Sequence, residues 1–191
     1  GLMYQMTGTL NISDLAERIP DVASTKTILI SIGFITVGIG LKLGLFPLHV
    51  WLPNAYAYAP SVVTAFLAAT ATKVAVYALL RVYFSIFGVD VFSALPIAEF
   101  LLILGLIAIL SMSTVAIYQN NTKRLLAYSS VAQVGYMVIG ISMLTITGLT
   151  ATILHLFNHA VIKGALFLAL AAVFYRIKSV KVEDMAGLGK A

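Results

Sequence analysis

Three lysines, Lys42, Lys73 and Lys163, sit inside apolar stretches that are each long enough to cross a bilayer, and the last follows His155 and His159 at intervals of four. A charged side chain at the centre of a transmembrane helix costs roughly 2.5–3.5 kcal/mol on insertion scales, where a Leu, Ile or Phe gains roughly 0.3–0.6 kcal/mol. Groups this unfavourable in hydrocarbon point to the movement of protons or cations. On a helix, His155, His159 and Lys163 lie at i, i+4 and i+8 along one slowly drifting stripe, with Asn158 beside them. Imidazole accepts and donates protons near neutral pH, and a lysine on the next turn can store or repel the charge, so the stripe reads as a proton relay. Two histidines one turn apart could also bind a metal or be haem ligands. Lys163 on the same face would repel a cation, however, and no third ligand is evident, so neither a metal nor a cofactor is expected.

Lys42 would lie roughly 23 Å along a helix starting near residue 27, too deep for a lysine stem of roughly 6 Å to reach the interface with ease. Pro47 follows, with Gly38, Gly40 and Gly44 around it, and a proline within a helix frees the carbonyl four residues back, here that of Leu43. A charge beside an interrupted helix is how transporters build ion or proton sites at membrane depth. Lys73 has Thr70 and Tyr77 one turn to either side and Thr64 and Thr72 nearby, hydroxyls that can hold water. All five basic groups are expected to face the interior, with the helix irregular between Gly40 and Pro47.

The elements that must carry them follow from composition and patterning. Apolar residues make up 61% of the 191 and charged ones 10%, where a soluble domain carries about 25% charged residues. With a mean hydropathy of +1.02, the chain is expected to be an all-α polytopic membrane protein. It contains no cysteine, which removes disulfides, thiolate metal sites and cysteine-ligated iron–sulfur clusters. The net charge of +5 comes mostly from helix ends, with no basic face interleaved with aromatics, so nucleic acid is not an expected partner. Five spans are predicted at 27–52, 61–87, 92–118, 126–146 and 148–176, the first one broken, each at or above the roughly 20 residues that cross the hydrocarbon.

The short links 53–60, 88–91, 119–125 and 147–148 make successive helices antiparallel neighbours. Before them, residues 1–26 hold the end of a preceding span and an interfacial loop, where Asp14 and Glu17 form a capping pair for a short helix ending near Pro20. Glu99 lies only a turn or two into the third span, within reach of interfacial water. His49, Trp51, Tyr56 and Tyr58 read as interface anchors, and Gly135 and Gly140 as helix contacts. Lys123, Arg124, Arg176, Lys178 and Lys181 share a side with loop 53–60, which the positive-inside rule places in the cytoplasm together with 177–191. A first residue Gly1 and an end at 186–191 without a stop signal suggest an internal stretch of a longer protein.

The run Lys42-Leu-Gly-Leu-Phe-Pro-Leu-His-Val-Trp-Leu-Pro-Asn-Ala55, then Ala59-Pro60, Lys73-Val-Ala-Val-Tyr77 and Arg81, resembles the antiporter-like proton-pumping subunits of respiratory complex I, of Mrp cation/proton antiporters and of membrane-bound hydrogenases. The resemblance continues through Lys123-Arg124-Leu-Leu-Ala-Tyr128-Ser-Ser, Gln133-Val-Gly-Tyr136 and His155-Leu-Phe-Asn-His159-Ala-Val-Ile-Lys163-Gly-Ala-Leu-Phe167, covering nearly the whole chain. It implies two inverted helical repeats, each with a half-channel around a broken helix, joined by a polar axis in the membrane plane. Residues 27–87 would then close the first repeat and 92–176 open the second. Lys42 would match the broken-helix lysine, Lys73 the lysine linking it to the centre, and His155, His159 and Lys163 the next relay. A partner glutamate and the second broken helix would lie outside these residues.

The implied setting is a bacterial or archaeal inner membrane, with other membrane subunits as partners and protons, or sodium as a second candidate, as cargo. There is no nucleotide loop, flavin site or cluster ligand, so any redox chemistry of the parent complex belongs to partner subunits. Two other readings remain open at this point. One is a non-conducting structural subunit in which the lysines only lock helices. The other is a solute transporter, against which the spread of basic groups over three helices argues.

Overall fold

A computed structural model describes residues 1–188, and its elements are helices. In chain order they are α1 (Leu2–Thr7), α2 (Ile12–Val22), α3 (Lys26–Leu43), α4 (Trp51–Tyr58), α5 (Ser61–Leu80), α6 (Gly88–Ser93), α7 (Ile97–Ile117), α8 (Thr122–Ser142) and α9 (Ile146–Ile177). A π-helical segment, Arg81–Phe87, continues α5 and passes through Gly88, at φ +77°, into α6, so that Ser61–Ser93 makes one long span. Together with α3, α7, α8 and α9 it makes five helices long and apolar enough to cross a membrane. The architecture is an all-α polytopic membrane fold.

The predicted spans are present, with three local corrections. The first is at the break. Helix α3 stops at Leu43 instead of bending through Pro47 to residue 52, and glycine chemistry explains why. Gly44 takes the left-handed conformation at φ +74°, and Leu45 N–H donates to the Gly40 carbonyl at 2.8 Å, closing a Schellman turn. Pro47, in a cis peptide with Phe46, follows the stop and does not cause it. Trp51 does more than anchor an interface, since its indole N–H donates to the Leu41 carbonyl at 2.8 Å across the interruption.

The second correction is that residues 53–60, read as a loop, are mostly the helix α4. The third concerns α2. Its N-cap is Asn11, whose side chain accepts from Ser13 N–H, while Asp14 sits in the first turn and Pro20 lies inside the helix. Asp14 is therefore at the third helical position and not the cap, and it accepts from Thr9 Oγ1 at 3.1 Å. Among the neighbours, α5 packs on α9 and not on α7, which lies against α8.

Close approach of backbones sets the crossings. A Cβ on Gly105 would lie 3.0 Å from the Gly135 carbonyl, and one on Gly135 would lie 2.9 Å from the Gly105 carbonyl. The α8–α9 crossing repeats this at Gly140 and Gly148, and Thr152 Oγ1 donates across it to the Met137 carbonyl at 3.2 Å. Small residues let lipid-facing helices gain packing contacts that hydrophobicity alone cannot supply in a membrane. At the α5–α9 crossing, a Cβ on Gly164 would stand 3.5 Å from the Ala69 Cβ. Helix α8 lies at the centre, contacting α4, α5, α7 and α9.

Gly135→Ala is expected to lower stability by about 1–3 kcal/mol, because the carbonyl it meets is backbone and cannot swing away. Gly38→Ala, with nothing within 4 Å of the added carbon, is expected to be neutral or stabilising by about 0.5–1 kcal/mol. Thermal unfolding of the two variants in detergent measures the difference.

Candidate functional site

Four of the five predicted basic residues come together between α5, α8 and α9. Lys73 projects from the inner face of α5, which is otherwise built from Thr64, Ala65, Ala68, Thr72, Ala75 and Val76. The small side chains let α9 approach closely enough to bury it, leaving Lys73 only 6% exposed. His159 and Lys163, each 3% exposed, lie on the buried stripe of α9 between Thr152 and Phe167. Helix α9 is thus polar inward, while Ile153, Leu154, Phe157, Val161 and Ile162 are exposed outward, as suits a helix beside lipid or another apolar helix.

The ammonium groups are held by neutral acceptors. Lys163 Nζ donates to the Leu126 carbonyl at 2.8 Å and to Ser129 Oγ at 3.1 Å, both on α8. Lys73 Nζ donates to the Ala68 carbonyl on its own helix. Helix α5 brings Lys73 against α9, where the Ala69 Cβ stands 3.5 Å from the Cβ position of Gly164, the residue next to Lys163. The His155 and His159 rings stack at 6.0 Å with an interplanar angle of 2°, and Tyr136 meets His155 edge-on at 6.1 Å. His155 Nε2 and both ring nitrogens of His159 are buried without a hydrogen-bond partner among the described residues.

His155, His159 and Lys163, but not Lys73, border a cavity of about 180 Å3 that Ser129, Gln133 and Asn158 also line. A groove of about 590 Å3 shares Gln133 and His155 with it and runs along Tyr136, Gly140 and Thr152 toward the α8–α9 turn. Sequence reasoning gives Ser129 and Gln133 no chemical role. The signal is nonetheless available: Ser129, Gln133 and Tyr136 recur at i, i+4 and i+7 on one face of an otherwise apolar span.

Lys42 does not join the cluster and is exposed on α3, against the expectation of an interior position. The residues that α3 buries are Ile28, Ser31, Ile32, Gly40 and Leu43, and Lys42 is left exposed beside them among the described residues. Glu99 is exposed as well, in the first turn of α7.

Comparison with known proteins agrees with this architecture. The family model described as "NADH:quinone oxidoreductase/Mrp antiporter, TM" matches residues 1–191. NADH-quinone oxidoreductase subunit N of Desulforudis audaxviator is 42% identical over 100% of this chain, and this chain spans 38% of that protein's length. A Na(+)/H(+) antiporter subunit of Alkalihalophilus pseudofirmus is 34% identical over 98% of the chain, covering 39% of that protein. Among solved structures, the archaeal membrane-bound sulfane sulfur reductase superposes with a TM-score of 0.88 at 30% identity, over 96% of this chain and 37% of the matched one. The Mrp complex of Dietzia sp. DQ12-45-1b gives 0.79 at 30% identity, over 90% of this chain and 31% of the matched one. The chain belongs to the NADH:quinone oxidoreductase/Mrp antiporter transmembrane family.

Proposed function

We propose that the chain translocates protons as part of an antiporter-like membrane subunit, with Lys73, His155, His159 and Lys163 as the exchanging groups and other membrane subunits as its partners. The observation that carries this reading is the arrangement of titratable bases in one cluster, Lys73, His159 and Lys163 buried and His155 half-buried, whose lysines rest on carbonyls and a hydroxyl in place of carboxylates. A carboxylate would hold each proton in a fixed ion pair, whereas a neutral acceptor solvates the ammonium and leaves it free to give the proton up. The stacked imidazoles lead from the groove beside Tyr136 to Lys163, and a cavity of about 180 Å3 has room for water, which needs about 30 Å3 a molecule. Lys42 enters through its place in the family motif, with residues 27–87 proposed to close one inverted repeat and 92–176 to open the next.

The competing reading is a structural subunit, favoured by the way Lys163 ties α9 to α8. Replacement by an isosteric apolar side chain separates the two. In the complete complex reconstituted into vesicles, Lys73→Met and Lys163→Met are expected to reduce proton movement close to that of empty vesicles with assembly preserved. Loss of assembly with unchanged transport per assembled complex would instead establish the structural role.

Lys42→Arg provides an independent check. Arginine keeps the charge but does not release its proton at physiological pH, so pumping is expected to fall nearly as far as in Lys42→Met. A Lys42→Arg complex that assembles and pumps at the parental rate would remove this residue from the path.

A further inference from the structure

We infer that Lys123 is a positioning residue, which fixes the half-helix after the α3 interruption against α8 and so sets the interrupted segment relative to the Lys163 cluster. Lys123 lies in the first turn of α8 and is 7% exposed, although its sequence position reads as a charge at a membrane surface. Its Nζ donates to the carbonyl of Ala59, the C-cap of α4, at 2.8 Å. That carbonyl belongs to a helix end, where unpaired carbonyls and the negative pole of the helix favour a cation. Thr64 Oγ1 donates to the same end, 3.1 Å from the Tyr56 carbonyl and 3.2 Å from that of Ala59.

Three further contacts join α4 and the turn before it to α8. Arg124 Nη2 donates to Asn54 Oδ1 at 3.0 Å. Leu52 and Tyr56, both almost wholly buried, share a core with Ala127 and Val131. His49, in the turn between α3 and α4, meets Tyr128 edge-on at 6.4 Å. One turn further along α8 come Leu126 and Ser129, the acceptors of Lys163. The first turns of α8 therefore hold the interrupted segment from one side and the buried lysine from the other. Removing the Lys123 ammonium leaves the Ala59 carbonyl without its charged donor and frees α4 to move, with the 44–50 turn attached to it.

The absence of cysteine from the chain supplies the test. A Leu45→Cys variant places a thiol at a core position in the interruption, and Val138→Cys places one at a buried position in the second half of α8. Labelling by a membrane-permeant maleimide is read on this chain by mass spectrometry in the complete complex. In the Lys123→Met background, labelling at position 45 is expected to rise about tenfold or more while position 138 stays unchanged. Lys123→Arg, which retains the charge and the donors, is expected to leave both at the parental rate. An equal rise at both positions would mean general loosening and would overturn the inference, as would no rise at position 45. If Lys123→Met does not accumulate, Lys123→Gln, shorter and uncharged, is read in its place: a rise at position 45 alone supports the positioning role, and no change overturns it.

The link to transport rests on the function proposed above and is read separately. Proton movement per assembled complex should fall in Lys123→Met and persist in Lys123→Arg. A parental complex that moves no protons would refute the proposed function, and the labelling result would still decide the role of Lys123.

Discussion

An ammonium group enclosed by apolar helices must find oxygen acceptors, and in this bundle nearly all of them are backbone carbonyls. Lys73 reaches the carbonyl of Ala68, Lys123 that of Ala59, and Lys163 that of Leu126 together with the Ser129 hydroxyl. Hydrogen bonds to a charged group contribute about 1.5–3 kcal/mol each, of the same order as the cost of placing the charge there. Because the acceptors belong to the backbone, the Lys123 and Lys163 contacts fix where one helix stands along another, while Lys73 is held by its own helix. Two of the three are made by or to α8, which accounts for its central place.

Glycine and alanine make those distances possible. The reciprocal contacts of Gly105 with Gly135 and of Gly140 with Gly148 bring α7 and α9 onto α8 at backbone range, and Ala69 with Gly164 does the same for α5 and α9. The apolar bulk is displaced to the outside, where Leu, Ile, Val and Phe are exposed on α3, α7 and α9. Polarity is thereby concentrated within the bundle, the reverse of a soluble protein, and the basic cluster sits where small side chains leave room for it.

Much of this is legible in the sequence. Long apolar runs mark the spans, and the four-residue spacing of His155, His159 and Lys163 lines them along α9, with His159 and Lys163 buried and His155 half-buried at the edge. The failures have physical causes. Depth along the chain assigns Lys42 to the interior, yet depth does not report what covers a residue, and Lys42 is exposed among the described residues. Pro47 looks like the cause of the break, when the left-handed Gly44 has already ended the helix. Lys123 passes for a surface charge because burial there comes from α4, an element hidden in a stretch whose prolines suggest a loop. Ser129 and Gln133 carry no charge, so only their stripe could draw notice.

Beyond α9 the chain returns to the start of α8. Thr122 N–H donates to the Val180 carbonyl at 2.8 Å and Val182 N–H to the Asn120 carbonyl at 3.0 Å, a short antiparallel pairing centred on Asn121 and Lys181. With the other end joined by the tight turn at Met143–Thr145, α8 and α9 form a hairpin closed at both ends. In kinetic terms the hairpin is a unit of low contact order, and closing it is entropically easier than recruiting a distant helix. Closure at both ends sets the register of α9 on α8, so the acceptors of Lys163, the Leu126 carbonyl and the Ser129 hydroxyl, are supplied within the hairpin itself and not by a distant helix.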